Sequence, residues 1–145
     1  MSASDVSAST VIAAPATTIF MILADPRQHA RIDGSGTVRG VVAGPDRLEL
    51  GSEFGMSMKM GAPYKIKNRV VEFEEGRLIA WRHFNGHRWR WRLEPVGDGT
   101  TRVTEEFDWS TARVPLLISV SWFPRGNRRS ITRTLDRLAA RFAPR

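Results

Sequence analysis

Between residues 52 and 110, apolar and polar side chains alternate with a period of two through five successive segments. Each segment is bounded by turn residues. That period is the signature of strands with one buried face. A chain that devotes its middle to such segments is committed to an antiparallel sheet. The segments are Ser52–Met60, Tyr64–Phe73, Leu78–Phe84, His87–Leu93 and Thr101–Ser110, with Glu75-Gly76, Asn85-Gly86 and Gly97-Asp98-Gly99 as turns. Two further strands are expected before them, Val6–Ala13 and Thr37–Ala43, the latter followed by a Gly44-Pro45-Asp46 turn. Between those two, Pro15 opens a short helix with Ile19, Phe20 and Leu23 on one face. Asp25-Pro26 ends it, and a second short helix or turn runs from Arg27 to Ile32. Near the C-terminus Ile131, Leu135, Leu138 and Phe142 make one helical stripe opposite Arg129, Arg133, Asp136 and Arg137. Pro124 and Gly126 are expected to interrupt this helix, leaving Pro115–Phe123 as a separate turn. The fold class is therefore α+β, with six to seven antiparallel strands curved around a long C-terminal helix. With 145 residues and no linker or repeat, a single domain over 1–145 is expected.

Charge pairing tests the strand registers. A two-residue loop at Asn85-Gly86 would mix tryptophans and arginines on both faces. A three-residue Phe84-Asn85-Gly86 loop, with Gly86 left-handed, pairs Trp81 with Trp89, Ile79 with Trp91, Arg82 with Arg88 and His83 with His87. If Leu93 opposes Val103, Trp91 meets Glu105 and Trp89 meets Phe107. On the other face Arg90 then meets Glu106 and Arg88 meets Asp108. A slip of two residues keeps the same faces and still pairs arginines with acids, so the faces are set more firmly than the register. The inner face holds Phe54, Met56, Met58, Met60, Ile79, Trp81, Trp89, Trp91, Phe107 and Trp109. Met and Trp at this density suit either a plain core or a pocket for an apolar ligand.

Glu105 shares that face. A carboxyl in apolar surroundings has a raised pKa and can anchor a ligand hydroxyl or amine, or move a proton. His83 and His87 lie near one end of the face as a candidate proton donor and acceptor. No metal site is expected, because only His29 remains and no carboxylate stands securely beside the pair. If Glu75-Gly76 forms a two-residue turn, Asn68 and Glu72 face inward. The other register turns Val71 and Phe73 inward, and the sequence leaves both open. Tyr64, the one tyrosine, is placed to close one end of a cavity or to pack locally.

The segments Gly51–Met60 and Asn68–Arg82, with Val6–Pro15 followed by Ile19-Phe20 and Thr100–Thr104, resemble an SRPBCC (START-like) domain. These domains form the polyketide cyclase/dehydrase and lipid-transport group. The resemblance implies a helix-grip fold with a cavity between sheet and C-terminal helix. It also implies binding, transport or sensing of a hydrophobic molecule such as a lipid or polyketide. No cofactor is expected. The group shares no catalytic motif. An aromatase/cyclase-type enzyme using Glu105 and His83 for proton transfer is the second reading. Such an enzyme would lose turnover by about 100-fold in Glu105→Gln, whereas a carrier would not.

Other classes find little support. Cysteine is absent, which excludes disulfides, thiolate metal sites and a Cys nucleophile. No Gly-x-Ser-x-Gly elbow, Walker loop or dinucleotide fingerprint occurs. The formal net charge is +7, and all basic residues but Lys59, Lys65 and Lys67 are arginines. Arg125, Arg128, Arg129, Arg133, Arg137 and Arg141 concentrate this charge near the C-terminus. An anionic surface or nucleic acid is thus a third class of partner, but the aromatic interleaving used for base stacking is missing there. Met1–Thr10 has neither a basic segment nor an apolar core, and Val114–Phe123 covers only about half a bilayer. A cytoplasmic monomer or homodimer is the expectation.

Overall fold

The computed structural model describes residues 5–34, 38–60, 62–82, 86–110 and 123–143. Seven strands form one antiparallel sheet: β1 (Asp5–Ile12), β2 (Val38–Ala43), β3 (Glu53–Met60), β4 (Ala62–Glu74), β5 (Leu78–Arg82), β6 (Arg88–Gly97) and β7 (Thr100–Asp108). Their order across the sheet is β1-β7-β6-β5-β4-β3-β2. Every neighbour but the first is thus a sequential hairpin, while β1 closes back on β7. The chain crosses from one edge of the sheet to the other between β1 and β2. It does so through α1 (Ala16–Leu23), a 3-10 turn (Pro26–Gln28) and α2 (His29–Ile32).

Local chemistry explains that crossing. The carbonyl of Pro15 accepts the N–H groups of Thr18 and Ile19 at 3.1 and 3.2 Å and so starts α1. Asp25 Oδ1 accepts the Arg27 N–H at 3.0 Å and starts the 3-10 turn. Ile19, Phe20 and Leu23 are buried, as their spacing predicts. The Leu48 N–H donates to Ala24 O at 2.7 Å, fastening the β2–β3 connection to the end of α1.

The long helix α3 spans Phe123–Ala140 and lies against β1 and β7. Ile131, Leu135 and Leu138 are buried and Phe142 packs against the core. Pro124 does not interrupt it, contrary to the sequence expectation. It occupies the first turn, where proline's missing N–H would have had no helical partner in any case. Gly126 is likewise inside the helix. The proposed separate turn, Pro115 onward, falls outside the described residues apart from Phe123. Gly34, just after α2, touches α3 directly, and its N–H donates to Thr134 Oγ1 at 2.8 Å.

The registers of β5–β6 and β6–β7 follow the charge-pairing argument. Trp81 opposes Trp89, Ile79 opposes Trp91, Trp91 opposes Glu105, and Arg90 opposes Glu106. Gly86 has φ +86°, the left-handed conformation that the three-residue loop needs. In β4 the two alternatives are each correct for part of the strand. A bulge between Val70 and Glu72 shifts the register, so Asn68 and Val70 face inward before it and Phe73 after it. Glu72 is thereby turned outward, onto the arginines of β6. The edge strand β2 carries two irregularities of its own, between Val38 and Gly40 and between Val41 and Ala43.

Candidate functional site

The concave face carries two joined aromatic groups. In the first, His29 stacks on Trp81 with centroids 4.7 Å apart, and Phe54 meets Trp81 edge-on at 5.6 Å. In the second, Phe107 contacts Trp89 at 4.6 Å, His87 at 5.1 Å and Trp109 at 5.7 Å. The cross-strand pair Trp81–Trp89 joins them. Phe54, Met56, Met58, Trp91, Phe107 and Trp109 are buried, while Trp81 and Trp89 are half-buried. The side chain of Met60 and the whole of His83 lie outside the described residues. Tyr64 sits within β4 and is exposed, so it shows no closing contact.

In the sequence His29 is only a leftover histidine, yet it is part of the wall. Its Nε2 lies 2.9 Å from Leu23 O, and burial pulls its pKa below the ordinary value despite that bond. No periodic signal marks it, because α2 is only four residues long. Burial likewise brings His87 down to about 4. Both imidazoles are therefore neutral near pH 7.

Glu105 stands on β7 between Trp91 of β6 and Ala8 of β1. Only 7% of it is exposed, and its Oε1 has no hydrogen-bond partner. Burial raises its pKa well above the usual range, and the charge of Asp33 raises it further. Asp33 was not singled out from sequence, since it arrives from the α2–β2 connection, remote in the chain. Asn68 is 2% exposed, faces inward, and leaves its Oδ1 without a partner. The concave face thus presents two buried side-chain oxygens without a hydrogen-bond donor, set within an aromatic wall. A protonated carboxyl there can donate a hydrogen bond to a bound oxygen, and it is also the form a general acid requires.

The raised pKa makes stability depend on pH in a definite direction. The folded state holds the Glu105 proton more tightly than the unfolded chain does. Its contribution is fully present below the ordinary value of 4.5 and is lost as pH rises through the raised one. Glu105→Gln is expected to remove that decline, so its melting temperature should fall less than wild type's between pH 5 and pH 8. Parallel melting curves across this range would contradict the burial of an ionisable carboxyl.

Among the described residues, no three His, Asp or Glu side chains converge to hold a metal ion. No helix among them is long and apolar enough to cross a membrane. An open depression of about 320 Å³ lies along β3 and β4, bordered by Glu53, Gly55, Lys65 and Lys67. The register turns these four away from the concave face.

The sequence profile described as polyketide cyclase / dehydrase and lipid transport matches residues 3–143. The chain belongs to this family. It is 42% identical over 143 residues to the uncharacterized protein Rv0088 of Mycobacterium tuberculosis, covering 95% of this chain. The chain spans only 64% of that relative's length. Solved structures confirm the helix-grip fold of the polyketide cyclase/dehydrase family. Protein Ms6760 of Mycobacterium smegmatis superposes with a TM-score of 0.69 at 21% identity, covering 96% of this chain and 93% of its own. Protein CV1439 of Chromobacterium violaceum gives 0.70 at 17% identity, covering 97% and 99%. The Aha1 dimer of Colwellia psychrerythraea gives 0.67 at 13%, covering 95% of each chain. At these identities the likeness concerns the fold alone.

Proposed function

We propose that this chain binds a hydrophobic small molecule between the concave face of its sheet and α3. The observation that carries the reading is Glu105, a buried carboxyl whose Oε1 has no partner, set among Trp and Phe side chains. An unpartnered buried polar atom destabilises a fold by about 1–3 kcal/mol. A bound molecule that meets Glu105 offsets that cost. The half-buried Trp81 and Trp89 provide apolar surface, which stabilises a ligand by roughly 25 cal/mol per Å² removed from water. Membership of a family whose description includes lipid transport agrees with this use of the fold.

Native mass spectrometry of the purified protein, with organic extraction of anything bound, tests the reading. The expected result is a co-purifying apolar molecule, or saturable quenching of tryptophan fluorescence by the neutral probe N-phenyl-1-naphthylamine. A protein that carries nothing and whose fluorescence the probe leaves unchanged would show that the aromatic face is core and nothing more.

A further inference from the structure

We infer that the ligand is electrically neutral and presents a carbonyl or hydroxyl oxygen to Glu105. The inference rests on the ligand-binding reading above and specifies its chemistry.

Two buried side-chain oxygens on the concave face await a donor. Glu105 Oε1 and Asn68 Oδ1 are both enclosed and unbonded. They belong to β7 and β4, three strand spacings apart, or roughly 14 Å measured along the sheet. An acid ligand would need a positive charge to meet it, and the concave face has none among the described residues. The alternation of β3 to β7 directs Lys59, Lys65, Lys67, Arg69, Arg82 and the β6 arginines to the opposite face. Arg128, Arg129, Arg133 and Arg137 of α3 are exposed. The two histidines in the wall are held neutral by burial. A carboxylate or phosphate brought here would be a buried anion with no cation to meet it among the described residues, which is strongly unfavourable. Asp33, whose charge already acts on Glu105, would repel it further.

An ammonium group is disfavoured for a different reason. To pair with Glu105 as an ion it must meet a carboxyl whose proton burial holds more tightly than usual. Both ions must then shed their water in an aromatic enclosure, and that desolvation cancels much of the attraction. A neutral oxygen acceptor needs neither step. A carboxyl that keeps its proton donates to it, and the remainder of the ligand is buried against Trp and Met. At the far end Asn68 offers an amide, which also suits an uncharged hydroxyl whichever way the amide is turned.

The test titrates the protein at pH 7.5 with three probes of matched chain length: 2-heptadecanone, hexadecanoic acid and hexadecylamine. Tryptophan fluorescence reads binding, and native mass spectrometry confirms stoichiometry. The ketone is expected to bind at least about 10-fold more tightly than the acid or the amine. Glu105→Leu should weaken ketone binding by about 10-fold, the value of one buried hydrogen bond. Glu105→Gln keeps a donor and should stay within about 3-fold of wild type. Circular dichroism shows that each variant is folded. Acid or amine binding as tight as the ketone's, or ketone binding indifferent to Glu105→Leu, would overturn the inference while leaving ligand binding intact. Failure of all three probes to bind would instead overturn the ligand-binding reading on which it rests.

Discussion

Arg90→Ala is expected to destabilise the protein by about 3–5 kcal/mol at pH 7, the range found when a buried ion pair loses one member. Arg90 points to the convex face, yet only 8% of its side chain is exposed. Its Nε and Nη2 donate to Glu72 at 2.9 and 2.6 Å, and Nη1 lies 3.2 Å from both Glu106 and Asp108. Removing this guanidinium leaves three carboxylates facing one another, with the Arg88 contact to Glu72, the Arg92 contact to Glu106 and the Ser110 bonds to Asp108 in partial compensation. Arg90→Lys keeps the charge but not the fork, so it should fall between the two. The penalty also has a pH signature. The Arg90 hydrogen bond holds the Glu72 pKa below its ordinary value. Asp108 is pushed up by burial but held low overall by bonds from Ser110 and Arg90. Carboxylates with lowered folded-state values stabilise above their ordinary pKa, and that stability is lost as pH falls through the lowered values. Urea unfolding at pH 7 and pH 3 should therefore show the gap between wild type and Arg90→Ala closing in acid. A loss below about 1 kcal/mol at pH 7 would mean that the network contributes no more than a surface pair.

The second large effect is expected at Gly34. A Cβ there would lie 2.6 Å from Thr134 N and 2.7 Å from Ser130 O, and would overlap Arg133 Cβ as well. Backbone atoms of a packed helix cannot yield as a flexible side chain does. Gly34→Ala must push α3 away from the α2–β2 connection and break the bond from the Gly34 N–H to Thr134. Overpacking of this kind costs about 3 kcal/mol. Gly40→Ala is the control: nothing lies within 4 Å of the added methyl, so stability should change little. Because Asp33 is the adjacent residue, Gly34→Ala should also alter ligand affinity if the concave face binds one. Equal urea midpoints for the two variants would sink the close-contact argument.

Most of the sheet was legible because its charges constrain it. Once Arg90 must face acids and Trp89 must face the core, the faces of β5, β6 and β7 are settled. A slip of two residues between β6 and β7 satisfies the same charges, and the structure adopts the pairing of Leu93 with Val103. The bulge in β4 was not legible. Val70, Val71 and Glu72 include no glycine, proline or turn residue, and a one-residue insertion reverses which side chains face inward beyond it. That single step explains why Asn68 and Phe73 both face inward and why Glu72 joins the convex network. The inward position of Glu105 could be read from alternation alone. His29 and Asp33 could not, since they reach the same region from a short helix and its exit, where no period exists to extrapolate. The place of Pro124 is not legible either, because its effect depends on where the helix begins and the preceding residues mark no boundary.

The irregular course of β2 bears on how the molecule behaves in a crowd. An open sheet has two outer strands, and a long flat one is a template on which other chains can add strands and grow into aggregates. β1 is shielded by α3. β2 meets only the short α2 and the 3-10 turn among the described helices, and its two register shifts in six residues break the even ladder that an incoming strand would need. Straightening it would remove a barrier to fibril growth without touching the concave face, so the irregular edge protects solubility rather than recognition.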